Sequence, residues 1–100
     1  MPAYVVVTYD IADPEAFAPY APAVMPLLAK HGAEVLAADF DSQPLEGAPP
    51  SVTIVLKFES EESARNWHSD PEYVPVKQIR LNSTKNGNAV LAKGFVMPPG

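Results

Sequence analysis

The stretch YVVVTYDIADPE, at residues 4–15, sets the pattern from which the rest of the fold follows. Its β-branched and aromatic residues, from Tyr4 to Tyr9, predict a β-strand. Asp13, Pro14 and Glu15 then indicate a helix start, because Asp caps free N–H groups, Pro suits the first helical position and Glu faces the positive end of the helix dipole. The chain therefore opens with a strand that leads directly into a helix.

This helix is expected to end at Lys30-His31-Gly32, where the His31 side chain would meet free carbonyls and glycine suits a left-handed cap. Pro19, Pro22 and Pro26 fall on one arc of the helical wheel. The opposite arc would face the core and holds Phe17, Tyr20, Ala21, Val24, Leu27, Leu28 and His31. We predict one bent helix whose prolines face water. The alternative is two short helical pieces that are broken near Pro22.

The remaining elements follow from strand, helix and turn signals. They are a strand at 33–40, a loop at 41–50, a strand at 51–58, a helix that Ser60 caps and that runs to Ser69, a helix that Asp70-Pro71-Glu72 opens and that reaches Thr84, a turn at 86–88, a strand at 89–95 and a tail at 97–100. The order β-α-β-β-α-β predicts an α+β, ferredoxin-like fold, in which a four-stranded antiparallel sheet carries its helices on one face. We expect a single domain over residues 1–100.

The composition argues against several classes of protein. The chain has 7 Lys and Arg against 12 Asp and Glu, a net charge of −5, which disfavours nucleic-acid binding. It has no cysteine, so it forms no disulfide and no thiolate site. No apolar run approaches the ~18 residues of a membrane span, and the N-terminus lacks the basic region of a signal peptide. We expect a cytoplasmic protein that binds neither nucleic acid nor membrane.

Both faces of the predicted sheet are largely apolar. In the first strand Tyr4 and Val6 point to one face while Val5 and Val7 point to the other, and the strand at 51–58 is similar. A sheet with one wet face would instead alternate apolar and polar residues. Because the helices cover one face only, we predict a homodimer that forms through the open sheet face. The alternative is a monomer with an exposed apolar sheet or with a ligand bound over it.

Several short motifs occur in a set order along the chain. They are P-A-Y-V at 2–5, Asp13-Pro14-Glu15-Ala16-Phe17 with Tyr20, His31-Gly32, Leu45-Glu46-Gly47 before two prolines, Phe58-Glu59-Ser60 leading to Ala64-Arg65 and Trp67, and Pro71-Glu72-Tyr73 with Arg80. This ordered set resembles the DUF1330 family of small bacterial proteins, within the dimeric α+β barrel superfamily. The resemblance implies a ferredoxin-like monomer and a dimer whose two sheets face each other around a barrel, but it implies no function. His68 departs from the family pattern, in which an aromatic residue is common at that place.

Tyr73 and Arg80 are two helical turns apart, so they share one stripe of the predicted helix. A phenol and a guanidinium that face one cleft would bind a carboxylate or an enolate, the Arg through two hydrogen bonds. Trp67 is expected to form a wall of this site, and Tyr20 to orient the ligand. The alternative is that Arg80 pairs with a nearby acid while Tyr73 and Trp67 pack in the core.

Two further residues are candidates for proton transfer. His68 belongs to the residue type that titrates near neutral pH, and Asp10 stands at the end of the first strand, where a carboxylate can serve as a general base. The alternatives are a surface His and a polar end to the strand. The two His residues lack the spacing of metal ligands and no Gly-rich loop occurs, so we expect no metal and no cofactor.

Two functions fit this pattern. The first is a cofactor-independent enzyme, or a binder, of a small and partly apolar organic acid held in a cleft of the dimeric barrel, and it rests on analogy of fold. The second is a non-catalytic dimer, structural or regulatory, whose barrel is packed solid. A cavity of roughly 300 Å³ or more with convergent polar groups would favour the first.

Overall fold

A computed structural model describes residues 1–96 of the chain. They form four strands and four helical segments: β1 (Ala3–Ile11), α1 (Pro14–Phe17), α2 (Tyr20–Lys30), β2 (Glu34–Asp39), β3 (Val52–Phe58), α3 (Glu61–His68), α4 (Tyr73–Ser83) and β4 (Thr84–Lys93). The strands make one antiparallel sheet in the order β2-β3-β1-β4. This confirms the predicted ferredoxin-like βαββαβ fold. The predicted tail at 97–100 lies outside the described residues.

The first helical stretch is two helices, so the prediction of one bent helix is wrong. The Asp13 carboxylate caps α1 by accepting the Ala16 N–H at 3.2 Å, as its position before Pro14 predicts. Pro19 has no N–H to continue this ladder, and its carbonyl instead accepts the first bond of α2, from the Ala23 N–H at 3.3 Å. The alternative of two helical pieces is confirmed in number, but the break lies at Pro19 and not near Pro22.

The other two prolines of this stretch are tolerated inside α2. Pro22 lies in its first turn, where an amide N–H would have no partner within the helix. Pro26 lies in the interior of α2 and removes one hydrogen bond there. Its exposed position lets water satisfy the carbonyl that the proline frees. The sequence therefore predicts the break near Pro22 and not at Pro19, because it does not show at which proline the helix loses a hydrogen bond that it needs.

The predicted turn at 86–88 is also absent, because these residues lie within β4. Asn86 has a φ of 56°, a left-handed conformation that Asn tolerates better than most residues. The pairing of β1 with β4 shifts register between Thr8 and Asp10, so an extra β4 residue forms a bulge there. β4 begins at Thr84, directly after the last residue of α4, so a bulge within the strand stands where the sequence predicts a turn.

The core lies between the helices and one face of the sheet. Ala3, Val5, Val7 and Tyr9 of β1 are buried on that face, at 0–6% exposure, while the residues between them are only partly covered. The opposite face has a row of valines across its middle, where Val6 pairs with Val55 of β3 and with Val90 of β4. We call this surface the open face, because no helix of residues 1–96 lies over it.

An ion-pair cluster around the buried Asp70 joins the end of α2 to the corner between α3 and α4. Asp70, only 7% exposed, accepts hydrogen bonds from Lys30 Nζ at 2.9 Å, His31 Nε2 at 2.8 Å and the Glu72 N–H at 2.9 Å. The His31 side chain thus binds Asp70, not the helix carbonyls as expected. The hydrogen bonds from Lys30, His31 and Glu72, in that order, lower the pKa of Asp70 far below its usual range. We call these residues the Asp70 anchor.

Candidate functional site

Arg80 is buried on the core-facing stripe of α4. Its residue is 5% exposed, and Tyr73, two turns earlier on the same stripe, is fully buried. The helical spacing that predicts this shared stripe is therefore present in the structure. Serine and threonine hydroxyls hold the end of the helix, since Ser83 Oγ donates to the Ile79 carbonyl at 2.6 Å and Thr84 Oγ1 donates to the Arg80 carbonyl at 2.7 Å. The backbone that carries the guanidinium is thus fixed in place.

The Arg80 guanidinium has no acidic partner within residues 1–96. The ion pairs of this part of the chain all belong to the Asp70 anchor, through Lys30 and His31. The Arg80 Nε atom is buried and has no acceptor among the described residues. Moving a charged side chain from water into the protein interior costs about 5 kcal/mol unless a partner compensates for its charge. The sequence alternative in which Arg80 pairs with an acid does not hold within residues 1–96.

Three tyrosines surround this guanidinium instead. Its Cζ lies 5.9 Å from the ring centroids of Tyr9 and Tyr20, within the range of a cation–π contact. The hydroxyls of Tyr20 and Tyr73 are hydrogen-bonded to each other at 2.8 Å. We call Arg80 and these three tyrosines the Arg80 cluster. Each cation–π contact contributes only about 0.5–2 kcal/mol, and none of them supplies a negative charge to neutralise Arg80.

The phenols of Tyr9 and Tyr20 stay protonated at neutral pH. Burial raises the pKa of Tyr9 to about 12, against the opposing effect of Arg80. Burial also raises the pKa of Tyr20 well above its usual range, and the neighbouring Tyr73 adds to the effect. Burial lowers the pKa of Arg80, but the adjacent Tyr73 and Tyr20 outweigh it and the net shift is upward. The cluster therefore presents one cation and the neutral phenols of Tyr9 and Tyr20, which suit an anion.

Trp67 of α3 packs beside the cluster. Its ring is 4.5 Å from that of Tyr73 and 5.6 Å from that of Phe58, and the residue is 2% exposed. The indole Nε1 is buried and finds no acceptor among residues 1–96. A buried donor without an acceptor costs about 1–3 kcal/mol, so this N–H is a second group that a ligand could satisfy.

Two cavities flank Trp67 on the helix side of the sheet. The larger, about 320 Å³, lies below α3, and its walls include Arg65, His68, Ser69 and Leu91. The smaller, about 160 Å³, lies between α1, α2 and the sheet, and its walls are almost wholly apolar: Val7, Tyr9, Phe17, Tyr20, Ala21, Val24, Met25, Leu28, Val35, Ala38, Phe40, Ile54, Leu56 and Trp67. Arg80 lines neither of these two cavities, but its Cζ lies 5.9 Å from the ring centroids of Tyr9 and Tyr20, which are part of the wall of the smaller one.

His68 lies at the edge of this arrangement. Its ring centroid is 6.0 Å from that of Trp67 and 6.2 Å from that of Tyr73, and the residue is exposed. Partial burial, then the positive charges of Lys77 and Arg80, lower its pKa. At neutral pH the imidazole is therefore uncharged, which is the form that can accept a proton.

Asp10 is not brought to the other candidates. Strand alternation places it on the opposite face of the sheet from Tyr9. Its Oδ1 accepts the Ser51 N–H at 2.9 Å and its Oδ2 accepts Asn86 Nδ2 at 3.0 Å, and these bonds, Asn86 first, lower its pKa. The carboxylate thus joins the start of β3 and the β4 bulge to β1. Within residues 1–96, no three His, Asp or Glu side chains come together as a metal site requires.

Residues 2–95 match the family described as "Domain of unknown function (DUF1330)". The chain belongs to the DUF1330 family. A search of curated proteins finds no match. None of the helices within residues 1–96 is long and apolar enough to cross a membrane.

Solved structures resemble this DUF1330 chain in fold at low sequence identity. RPA0582 of Rhodopseudomonas palustris, of unknown function, is 15% identical with a TM-score of 0.79, over 96% of this chain and 84% of that one. A dimeric, ferredoxin-like protein of unknown function from Bacteroides fragilis is 13% identical with a TM-score of 0.64, over 93% and 96%. SnoaB of Streptomyces nogalater, a cofactor-independent oxygenase, is 9% identical with a TM-score of 0.69, over 99% and 98%. At these identities the likeness shows the fold alone.

Four of the residues singled out from the DUF1330 sequence lie together: Tyr20, Trp67, Tyr73 and Arg80. Sequence reasoning missed Tyr9, although a signal for it exists. Tyr9 ends the core-facing stripe that Val5 and Val7 begin, and a phenol at the end of a buried stripe needs a polar neighbour. That neighbour is Arg80, which the sequence separates from Tyr9 by most of the chain.

Proposed function

We propose that this protein binds a small, partly apolar organic acid at the Arg80 cluster, as a binding protein or as a cofactor-independent enzyme. One observation carries the proposal: a guanidinium at 5% exposure that no Asp or Glu of residues 1–96 neutralises. A ligand carboxylate or enolate would supply the missing charge. Because Arg presents its N–H groups as a planar fork, it suits such a two-oxygen anion.

The tyrosines of the cluster support the same ligand. The hydroxyls of Tyr20 and Tyr73, 2.8 Å apart, are hydrogen-bonded to each other, which leaves the hydrogen of one of them free to donate to a ligand. An anionic acceptor forms stronger hydrogen bonds with such donors than a neutral one does. The apolar wall that Tyr9 and Tyr20 share with the smaller cavity favours a ligand with an apolar part.

His68 is the residue to which we assign proton transfer, since it is a neutral imidazole beside the cluster. The fold shared with SnoaB, a cofactor-independent oxygenase, supports chemistry without a cofactor by analogy only. Asp10 has no part in this proposal, because both of its carboxylate oxygens already accept hydrogen bonds on the other side of the sheet.

Native mass spectrometry of protein taken directly from cells tests the proposal. We expect a small acid to accompany the wild-type chain and the Arg65→Met variant, and to be lost from Arg80→Met. Arg65 is a matched control because it is an exposed arginine on α3. Equal ligand content in all three proteins would contradict the proposal. The absence of bound acid from all three, even after carboxylates are added at millimolar concentration, would contradict it as well. Either result would favour a non-catalytic dimer.

We also propose that the protein is a homodimer through the open face. Val6, Val55 and Val90 form an apolar row there, and Val90 is 56% exposed in the single chain. The dimeric ferredoxin-like neighbour from Bacteroides fragilis supports this assembly, and two-fold dimers are the commonest closed oligomers.

Light scattering after size exclusion measures the assembly directly. Val6→Lys puts two charges into the proposed interface and should yield monomers. Val74→Lys introduces the same charge at a half-exposed site on α4 and should leave the dimer intact. A wild-type monomer at all concentrations, or a dimer that survives Val6→Lys unchanged, rejects this interface.

A further inference from the structure

Resting on the proposed function, we infer that the acid carries one planar aromatic ring, as benzoate does. Its ring would occupy the smaller cavity, between α1, α2 and the sheet, with its carboxylate turned toward the Arg80 cluster. The inference deepens the proposed function by naming the class of ligand and the place of its apolar part.

The size of the smaller cavity fits a single ring. Its volume is about 160 Å³. An apolar protein cavity of roughly 150 Å³ is known to stay dry and to take up benzene. A fused two-ring system needs more space, whereas acetate would leave most of the cavity empty. Shape therefore selects a monocyclic acid over smaller and larger ones.

The walls favour an aromatic ring over a saturated one. Phe17 lies at the centre of an aromatic group, with its ring centroid 5.6 Å from Tyr9, 5.5 Å from Tyr20 and 6.3 Å from Phe40. Trp67 also lines the cavity. Tilted and edge-to-face contacts of this kind contribute about 0.5–1.5 kcal/mol each beyond simple burial. A planar π-system would extend this network, and a puckered ring would not.

Two residues of the wall also belong to the Arg80 cluster, and they define the side of the cavity toward which the carboxylate would turn. Tyr9 and Tyr20 are wall residues, and each has its ring centroid 5.9 Å from the Arg80 Cζ. Trp67 adds an indole N–H that lacks an acceptor within residues 1–96. Met25 and Phe40, which are half-exposed, also line the cavity. We therefore place the carboxylate on the side of Tyr9 and Tyr20, toward Arg80, and the ring among the apolar side chains.

The larger cavity is the less suitable place for such a ligand. Arg65, His68 and Ser69 make its wall more polar, and none of the Arg80-cluster tyrosines belongs to that wall. A ring held there would lie on the other side of Trp67 from Tyr9 and Tyr20. Because the two cavities have different wall residues, the side chains that contact a bound ring show which cavity it occupies.

Calorimetric and NMR titrations of the full-length protein with benzoate, cyclohexanecarboxylate, 2-naphthoate and acetate test the inference. We expect benzoate to bind at least about tenfold more tightly than the other three acids. Nuclear Overhauser contacts should join the benzoate ring protons to the methyl groups of Ile54 and Leu28, which line the smaller cavity. Contacts to Val5 and Leu91 instead would place the ring in the larger cavity and overturn the inference.

A pair of alanine substitutions separates the two cavities. Ala38→Leu fills part of the smaller cavity, and Ala89→Leu does the same in the larger one, both at exposed strand positions that tolerate a larger side chain. We expect benzoate affinity to fall about tenfold or more in Ala38→Leu and to stay unchanged in Ala89→Leu. Equal affinities in both variants would overturn the inference.

The outcomes also distinguish this inference from the proposed function. If acetate and cyclohexanecarboxylate bind as tightly as benzoate, and Arg80→Met abolishes all binding, the proposed acid site is supported and the preference for an aromatic ring is wrong. If no acid binds the wild type, or Arg80→Met binds all four unchanged, the proposed function fails as well. Amide NMR spectra of each variant confirm that it is folded before its affinity is compared.

Discussion

The Asp70 anchor and the Arg80 cluster are two buried charges treated in opposite ways. Asp70 has Lys30, His31 and a backbone N–H as hydrogen-bond donors. Arg80, equally buried, has tyrosines but no acid within residues 1–96. A charge that serves the fold is paired, because an unpaired one destabilises it. The contrast supports our proposal that Arg80 binds an anionic ligand.

The two sites also differ in what their surroundings do. The Asp70 anchor joins three backbone segments: the end of α2, the end of α3 and the start of α4. The Arg80 cluster adjoins a cavity with apolar walls. Polar groups that converge beside a cavity are typical of binding sites, whereas those that join elements are typical of structure. Stability and binding should therefore respond separately when each charge is removed.

The largest effect is expected from Arg80→Met, which keeps much of the volume and removes the charge. Binding of the organic acid should weaken about a hundredfold or more, because truncating one partner of a buried charge pair costs 2–5 kcal/mol. The free energy of unfolding should stay the same or rise by about 1 kcal/mol, since an unneutralised buried charge is gone. Isothermal titration and urea unfolding measure the two quantities. A marked fall in the free energy of unfolding with unchanged binding would show that Arg80, like Asp70, serves the stability of the fold.

Asp70→Asn should produce the opposite result. It removes the charge that Lys30 and His31 share, so the melting temperature should fall while acid binding stays near that of the wild type. Asp41→Asn is the matched control, at an exposed position in the loop after β2, and should leave both quantities unchanged. Differential scanning calorimetry with a parallel titration decides the matter. A loss of binding in Asp70→Asn without a loss of stability would contradict the structural role.

The two regions should also limit stability at opposite ends of the pH range. The folded-state pKa of Asp70 is lowered, so its contribution is complete above the unfolded pKa of about 4 and is lost as the pH falls through the lower folded value. Tyr9 has a pKa raised to about 12, so its contribution is complete below its ordinary pKa of 10.0 and is lost as the pH rises toward 12.

Melting temperatures measured from pH 2 to 12 check both limits. The difference between the wild type and Asp70→Asn should begin to shrink as the pH falls below ~4, where the unfolded carboxyl becomes protonated, and should continue to shrink toward pH 2. The wild type should lose stability between pH ~10 and 12 more steeply than Tyr9→Phe, which has no phenol to ionise there. Parallel curves at both ends would show that neither group is perturbed as the structure indicates.

The sequence predicts much of the fold because its strongest signals are local. Helical spacing alone puts Tyr73 and Arg80 on one stripe, and Asp13 before Pro14 is enough to start α1. The break at Pro19 and the bulge at Asn86 are different, since each depends on which hydrogen-bond partners the chain finds after it folds. The same left-handed preference of Asn serves a turn or a bulge, and only the pairing with β1 decides between them.

The candidate site was predictable in its residue types and not in its energetics. Tyr20, Trp67, Tyr73 and Arg80 can be chosen from their spacing and chemistry. That Arg80 meets Tyr9 and no acid is a fact about distant parts of the chain. An acid close in sequence to Arg80 would have been an equally reasonable expectation before the packing of α4 on β1 was known.

The smallest effect is expected from Tyr20→Phe, and it tests how the cluster shares its donors. The variant removes one hydroxyl of the 2.8 Å Tyr20–Tyr73 pair and leaves both rings in place. A hydrogen bond to a charged group contributes about 1.5–3 kcal/mol and a neutral one about 1, so affinity for benzoate should fall about tenfold if Tyr20 donates to the ligand. Tyr4→Phe is the control, because Tyr4 lies on the open face. If Tyr20→Phe binds benzoate as tightly as the wild type does and Tyr73→Phe binds it more weakly, then Tyr73 donates to the ligand and Tyr20 only orients the Tyr73 hydroxyl. If neither substitution changes the affinity for benzoate, Arg80 holds the anion without the phenols.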